Sequence, residues 1–504
     1  MVERNVAEIA AGPRTRGAPA RRRATAGAWP LLLLAGYGLA YLLVRMQLAG
    51  ALELDEAEIV YLVQEPRPGY GTQPPLYAWL QWLVFSLFGV NLFAVVLLKD
   101  LLLMACYALM YRAARCLLDT RGALAASATL ALLPQVGWEF LRIQTHSVLA
   151  TAIACATLWA YFALLRHPGP WRWLAMGLLC ALGLQAKYNF ACLLAALLAA
   201  SLLVPQHRRA LWNRATAPAA CAALLLALLL LLPHVAWVVQ HPEAAFGATV
   251  RKMQDGMAQA GYLRRVAAGL GQVLGSLAGF ALLPALAFGL LAWPLRRRLR
   301  IERHAPIARF FLCLYGALLV QLGLLALSGE VGTVKERWMT PLFVTLPLAA
   351  FVLAPALRTR SVYLRAWRAG LLAALAFLAL LPLRHATGAA DGAPASYAAL
   401  AQALRQRCPD AATIVSDSLV AAGNLRLADP ARRVVLLDGA LGAAWPAGGR
   451  VALAASAPSG ALAQLRAAAP ELAASAGEGP RVRVEASGGR TLVVALACLG
   501  APGR

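Results

Sequence analysis

The chain has 504 residues, of which 61% are hydrophobic and 14% charged. A water-soluble protein of this length could not hide that much apolar surface, so the soluble classes are excluded. The net charge of +24, from 47 Lys and Arg against 23 Asp and Glu, would suit nucleic acid. The basic residues, however, sit in short loops between apolar runs, which is the pattern of a cytoplasmic face against anionic lipid, so membrane lipids rather than nucleic acid are the expected partner.

In chain order, residues 1–27 form a basic N-terminus with Arg14, Arg16 and Arg21 to Arg23, expected in the cytoplasm. The apolar run from Trp29 to Leu48 is too long for a signal core and lacks a small-residue cleavage site, so it is expected as a retained first span. A loop over 49–91 follows, and residues 53–65 hold five carboxylates: Glu53, Asp55, Glu56, Glu58 and Glu65. Within the loop, PPLYAWLQWLVFSLFG (74–89) is short and aromatic, and predicts a helix lying in the interface. Further spans are expected at 92–112, 122–138, 146–166, 171–187, 189–204, 214–238, 266–294, 307–328, 338–356 and 367–385, about eleven in all. With the N-terminus inside, alternate loops collect Arg112, Arg115, Arg166, Arg208, Arg296 to Arg298, Arg358 and their neighbours, against only Asp119 and Glu302. The membrane domain therefore runs over 28–386 with its acidic first loop outside.

Residues 387–504 change character. TIVSDSLVAAGNLRL, RRVVLLDGA, RVALAAS and RTLVVALACL predict short strands, and SYAALAQALRQRC a helix, hence a small α/β domain on the outer face. An oxidising compartment would let Cys408 and Cys498 form a disulfide across it; two unpaired buried thiols are the alternative. The other seven of the nine cysteines lie in or beside apolar runs, as small packing residues.

Ionisable groups at membrane depth are costly and mark function. Here they gather at the outer ends of the spans: Asp55, Glu56 and Glu58; Lys99 and Asp100; Arg142 and His146; Lys187 and Tyr188; His234, His241 and Glu243; Lys335, Glu336 and Arg337. Carboxylates near several cations suit proton abstraction from a hydroxyl beside a bound phosphate. A membrane enzyme that moves a group from a lipid phosphate to an alcohol needs both, at headgroup level. Each residue also has a structural reading. Asp55 and Glu56 could be a solvated topology signal, Lys187 a snorkelling side chain, Lys99 and Asp100 an intramembrane pair. The three histidines could be helix caps or metal ligands, and Tyr77 part of an aromatic belt or a sugar-stacking platform.

The order LDEAE (54–58), YGTQPPLYAWL (70–80), LFG (87–89), LGLQAKYNFA (182–191), PHVAWVVQHPEAAF (233–246) and VKERWMTPLFVTLPL (334–348) resembles a superfamily of membrane glycosyltransferases. That group includes protein O-mannosyltransferases, aminoarabinose transferases acting on lipid A, and the RgtA/B/C/D-like enzymes. The resemblance covers most of 28–360. It implies a GT-C-type polytopic α-helical fold in a bacterial inner membrane, with the C-terminal domain periplasmic. It also implies a polyprenyl-phosphate-linked sugar as donor and inverting transfer to a lipid or glycan acceptor. By position, Asp55 takes the family's catalytic base. Glu56 becomes a supporting carboxylate for orientation or for a divalent metal ion, and Lys187 a ligand of the donor phosphate, assisted by Lys335 and Arg337. Tyr77, Arg142, His146 and Tyr188 fall on the same rim and are expected to line the substrate site. Two positions depart from the family pattern: Gln73 stands before Pro74-Pro75 where relatives often have Lys or His, and His146 stands where an acidic residue is common. A flippase for lipid-linked sugars and a non-catalytic envelope-assembly subunit are the rival classes.

Overall fold

The computed structural model describes residues 28–48, 51–254, 261–387, 394–437, 451–455, 481–486 and 490–499; the basic stretch 1–27 lies outside them. The membrane half is helical throughout. Helix α1 (Ala28–Gln47) leads to two short helices of the first loop, α2 (Leu54–Leu62) and α3 (Leu76–Phe88). There follow α4 (Leu92–Arg115), α5 (Thr120–Ala128), α6 (His146–Arg166), α7 (Pro170–Ala186), α8 (Phe190–Leu203), α9 (Pro205–Leu211), α10 (Ala217–Gln240), α11 (Tyr262–Ala292), α12 (Pro306–Leu327), α13 (Leu346–Leu353) and α14 (Arg360–Ala386).

Among the described residues, seven helices are long and apolar enough to cross a membrane, and nine if each of two bent pairs counts as one span. The expected eleven are all present as helical segments, but three are broken and one is short. The third breaks between Leu132 and Gln135 and bends by 75°, and the sixth breaks at Val204 and bends by 101°. In each, a proline (Pro134, Pro205) lacks the N–H that an uninterrupted helix needs. The fifth, α7, has 17 residues, at the short limit for a span. The tenth is split into Thr340–Phe343 and α13, each with a proline in its first turn (Pro341, Pro347). Leu224, Leu225, Leu228, Leu229 and Leu232 stand exposed along α10, an arrangement that is stable only against lipid.

The C-terminal part is α/β, as expected. Helices α15 (Pro394–Arg407) and α16 (Leu419–Ala428) pack with strands β1 (Thr413–Ser416), β2 (Arg433–Leu436), β3 (Val451–Ala455), β4 (Arg481–Ala486) and β5 (Arg490–Leu499). The sheet order is β2-β1-β3-β5-β4; β1 runs parallel to β2 and β3, and β5 antiparallel to β3 and β4. Cys408 and Cys498 are bonded as a disulfide, with Cα atoms 5.6 Å apart. It ties the end of α15 to β5, the pairing that the sequence allows.

Candidate active site

The site is built on α2. At about 100° per residue, three successive side chains of a helix point in three directions. Asp55, Glu56 and Ala57 use this to meet three different neighbours. Two carboxylates in the first turn also complement the positive end of the helix dipole.

Glu56 faces the membrane domain and is fully buried. Arg45, in the last turn of α1, donates to its two oxygens at 3.1 and 2.9 Å. Lys99, in α4, binds it from the other side and also donates to the Arg142 carbonyl at 2.7 Å. Burial pushes the Glu56 carboxyl up, but Arg45 and Lys99 outweigh it and hold the group below its ordinary value. Lys99 therefore does not pair with Asp100, as the sequence suggested it might. Adjacent residues of α4 diverge, and Asp100 turns toward Gly38 of α1.

Asp55 faces the opposite way to the C-terminal domain. One Arg337 nitrogen, Nη1, lies 3.3 and 3.4 Å from its two oxygens. Arg337 comes from the single turn Glu336–Trp338 before the broken tenth segment, so residues far apart in the chain meet here. Lys187, at the end of α7, donates to Ser147 Oγ at 2.6 Å and lies close enough to act on the Asp55 charge. Burial raises the Asp55 carboxyl above the ordinary 3.8, and Arg337, Lys187 and Lys99 offset this only in part. A carboxylate that is costly to keep ionised is a stronger base.

Around this pair, Tyr77 of α3 is buried with its ring 5.3 Å from that of His146, centroid to centroid. The Tyr77 hydroxyl and His146 Nδ1 are buried with no hydrogen-bond partner among the described residues. Leaving such atoms unpaired costs on the order of 1–3 kcal/mol each, and a polar ligand would recover it. The turn before α3 is set by Gly71, whose φ of 69° is open to glycine, and the bridge from Tyr70 to Gln73 closes it. Gln73 is thereby held beside the start of α3, half-buried. Lys335 precedes the Arg337 turn and is also half-buried.

Two other expected residues are turned to neighbours of their own. Arg142 pairs with Glu53 at 3.1 Å and Glu139 at 3.2 Å, and Glu53 receives Arg384 from α14 at 2.6 Å. Tyr188 stacks on His234 and its hydroxyl donates to Nε2 at 3.2 Å, because Nδ1 donates to the Pro68 carbonyl at 2.8 Å. Arg45, Glu53, Glu139 and Arg384 were not among the sequence candidates. The one local signal for Arg45 is a charge in the last turn of an otherwise apolar first span.

The donor set does not fit a divalent ion. Among the described residues no three His, Cys, Asp or Glu side chains converge, and both carboxylates of α2 are paired with cations.

Residues 72–237 match the family of dolichyl-phosphate-mannose-protein mannosyltransferases. The chain is 33% identical to the lipopolysaccharide core galacturonosyltransferase RgtB of Rhizobium johnstonii, over 81% of this chain and 83% of that one. It is 32% identical to RgtA of the same organism, over 81% and 82%. In fold it is similar to ArnT from Cupriavidus metallidurans bound to undecaprenyl phosphate, with a TM-score of 0.63 and 15% identity, covering 95% of this chain and all of that one. The apo form of the same protein gives a TM-score of 0.59 at equal coverage. A third of positions shared along four-fifths of both chains places this polypeptide in the superfamily of membrane glycosyltransferases that use polyprenyl-phosphate-linked sugars, and it is a multi-pass membrane glycosyltransferase.

Proposed function

We propose that the protein transfers a uronic acid, galacturonic acid by analogy with its relatives, from a polyprenyl-phosphate donor to a hydroxyl of lipopolysaccharide. The reaction takes place on the periplasmic face of a bacterial inner membrane, with the N-terminus in the cytoplasm and the C-terminal domain in the periplasm. The observation that carries the reading is the meeting of Asp55, Arg337 and Lys187, drawn from three distant parts of the chain. The charge balance supports it: Arg45, Lys99, Lys187 and Arg337 act on Asp55 and Glu56, with Glu53 as a further carboxylate near Arg45 and Lys99, so cations outnumber carboxylates there. That surplus suits a donor with both a phosphate and a sugar carboxylate.

In this mechanism Asp55 takes the proton of the acceptor hydroxyl as its oxygen attacks the anomeric carbon. The bond from that carbon to the phosphate oxygen breaks, and polyprenyl monophosphate leaves with the electron pair. Lys187 and Arg337, with Lys335 beside them, stabilise the growing negative charge. A single displacement inverts the anomeric carbon. Tyr77 and His146, with unpartnered polar atoms, bind sugar hydroxyls.

The test is a reconstituted assay with polyprenyl-phosphate galacturonic acid and lipopolysaccharide acceptor in proteoliposomes. Glycosylated acceptor and polyprenyl monophosphate should form in equal amounts. Lipid movement without sugar release would instead support a flippase.

The pH profile gives a second check. A base works ionised, so activity is lost as pH falls through its pKa, which here lies above 3.8. Arg337→Ala removes the largest of the charges that lower it. The acid limb of kcat/KM is expected to move to higher pH, and a limb that stays or falls would contradict the pairing.

A further inference from the structure

Among the described residues the C-terminal domain places no charged group on Asp55, yet it grips the segment that carries it. Strand β2 lies at the edge of the sheet. Its Arg433 N–H, and that of Leu437 just beyond, donate inward to the carbonyls of Ala412 and Ser416, at 3.0 and 2.9 Å. The alternate residues, Val434 and Leu436, present their backbone groups off the edge. An open edge of this kind is normally covered. Here the cover is the end of α2 and the turn after it. The Gln64 carboxamide donates to the Val434 carbonyl and accepts from the Val434 N–H, both at 2.8 Å, and the Tyr61 hydroxyl accepts from the Leu436 N–H at 3.3 Å.

The other end of α2 is held in the reverse sense. Asn424 of α16 accepts from the Leu52 N–H at 2.8 Å and donates to the Leu52 carbonyl at 3.2 Å. Between the two grips, α16 lies against α2 at Gly423, where a Cβ would sit 2.2 Å from the Ala57 carbonyl oxygen. The helices touch backbone to backbone because that side chain is missing. Ala57 and Tyr61 share this face of α2, and Asp55, two residues before Ala57, lies about 160° round from it.

A helix of 9 residues has little stability of its own and takes its position from what holds it. We propose that the C-terminal domain is part of the catalytic unit: Asn424 and Gln64 are positioning residues whose carboxamides clamp the two ends of α2 and so aim Asp55 at Arg337. This rests on the reading of Asp55 as base. A displacement of about 1 Å in a reacting group is enough to cost about 100-fold in rate.

The experiment uses the full-length protein in proteoliposomes and compares Gln64→Leu with Asn424→Leu, singly and together. Turnover is measured beside amide exchange of residues 52–64. In the double variant, exchange of that segment should quicken while that of α4 and α6 does not. Its kcat should fall about 100-fold, with the donor KM within about twofold of wild type. A merely structural loss would lower the amount of active enzyme and quicken exchange throughout. Should the double variant not insert, Asn424→Asp takes the same measurements, since it keeps the acceptor for Leu52 and loses the donor. Quickened exchange with wild-type kcat overturns the clamp, and so does unchanged exchange. Asp55→Asn, assayed in parallel, separates the two ideas. If it is inactive while the clamp variants are normal, the clamp alone fails; if it is active, the reading of the base fails.

Discussion

Asp55→Asn is expected to lower transfer by about 100- to 10,000-fold while expression and membrane insertion stay normal. The substitution keeps shape and leaves an amide oxygen for Arg337, which approaches both Asp55 oxygens at 3.3 and 3.4 Å. What it removes is the ability to take a proton. The folded chain does not depend on this carboxylate in the way it depends on Glu56, because Asp55 is partly exposed and its pairing is long. Rate and stability should therefore separate, with turnover lost and the thermal melt in detergent within a few degrees of wild type. If the acceptor were an already ionised phosphate, no base would be needed and the loss would be small. A purified Asp55→Asn protein with wild-type turnover would remove Asp55 from the chemistry.

Glu56→Gln should do the reverse and act on stability first. Glu56 is completely buried between Arg45 and Lys99, and Lys99 is 1% exposed. Deleting the anion leaves two buried cations facing each other without the carboxylate that bonds them both. Removing one partner of a buried ion pair costs about 3–5 kcal/mol. Lys99→Met should cost less, because Glu56 keeps its bonds from Arg45. Thermal unfolding of the purified variants orders them: wild type above Lys99→Met above Glu56→Gln. Equal melting of Glu56→Gln and wild type would mean that the triad does not hold α2 against the membrane domain.

The spans are legible in the sequence because hydropathy is local, and so is the charge sign of each loop. The Pro-Pro start of α3 and the acid cluster of α2 are visible for the same reason. Helix breaks are harder to read. Pro134 and Pro205 end helices here, whereas Pro233 and Pro284 sit inside α10 and α11 without ending them. Proline forbids one hydrogen bond, and packing decides whether the helix continues. The long-range partners of the site's charged residues are not legible at all. Asp55 meets Arg337 across 282 residues, and Leu52 meets Asn424 across 372. No spacing rule reaches that far. Lys99 shows the limit: its sequence neighbour Asp100 looks like a partner, but the turn of the helix sends it to Glu56. Asn424 and Gln64 carry no charge and sit in no motif, so only the folded chain reveals them.

The central claim is that Asp55 works on a uronic acid held by a lipid phosphate. Mass spectrometry of the lipid that co-purifies with the Asp55→Asn protein tests it most directly, since a blocked chemical step leaves the donor in place. A polyprenyl monophosphate bearing one hexuronic acid is the predicted result. A retained donor carrying an uncharged hexose or an amino sugar, or lipid with no glycosylated polyprenyl phosphate at all, would contradict it.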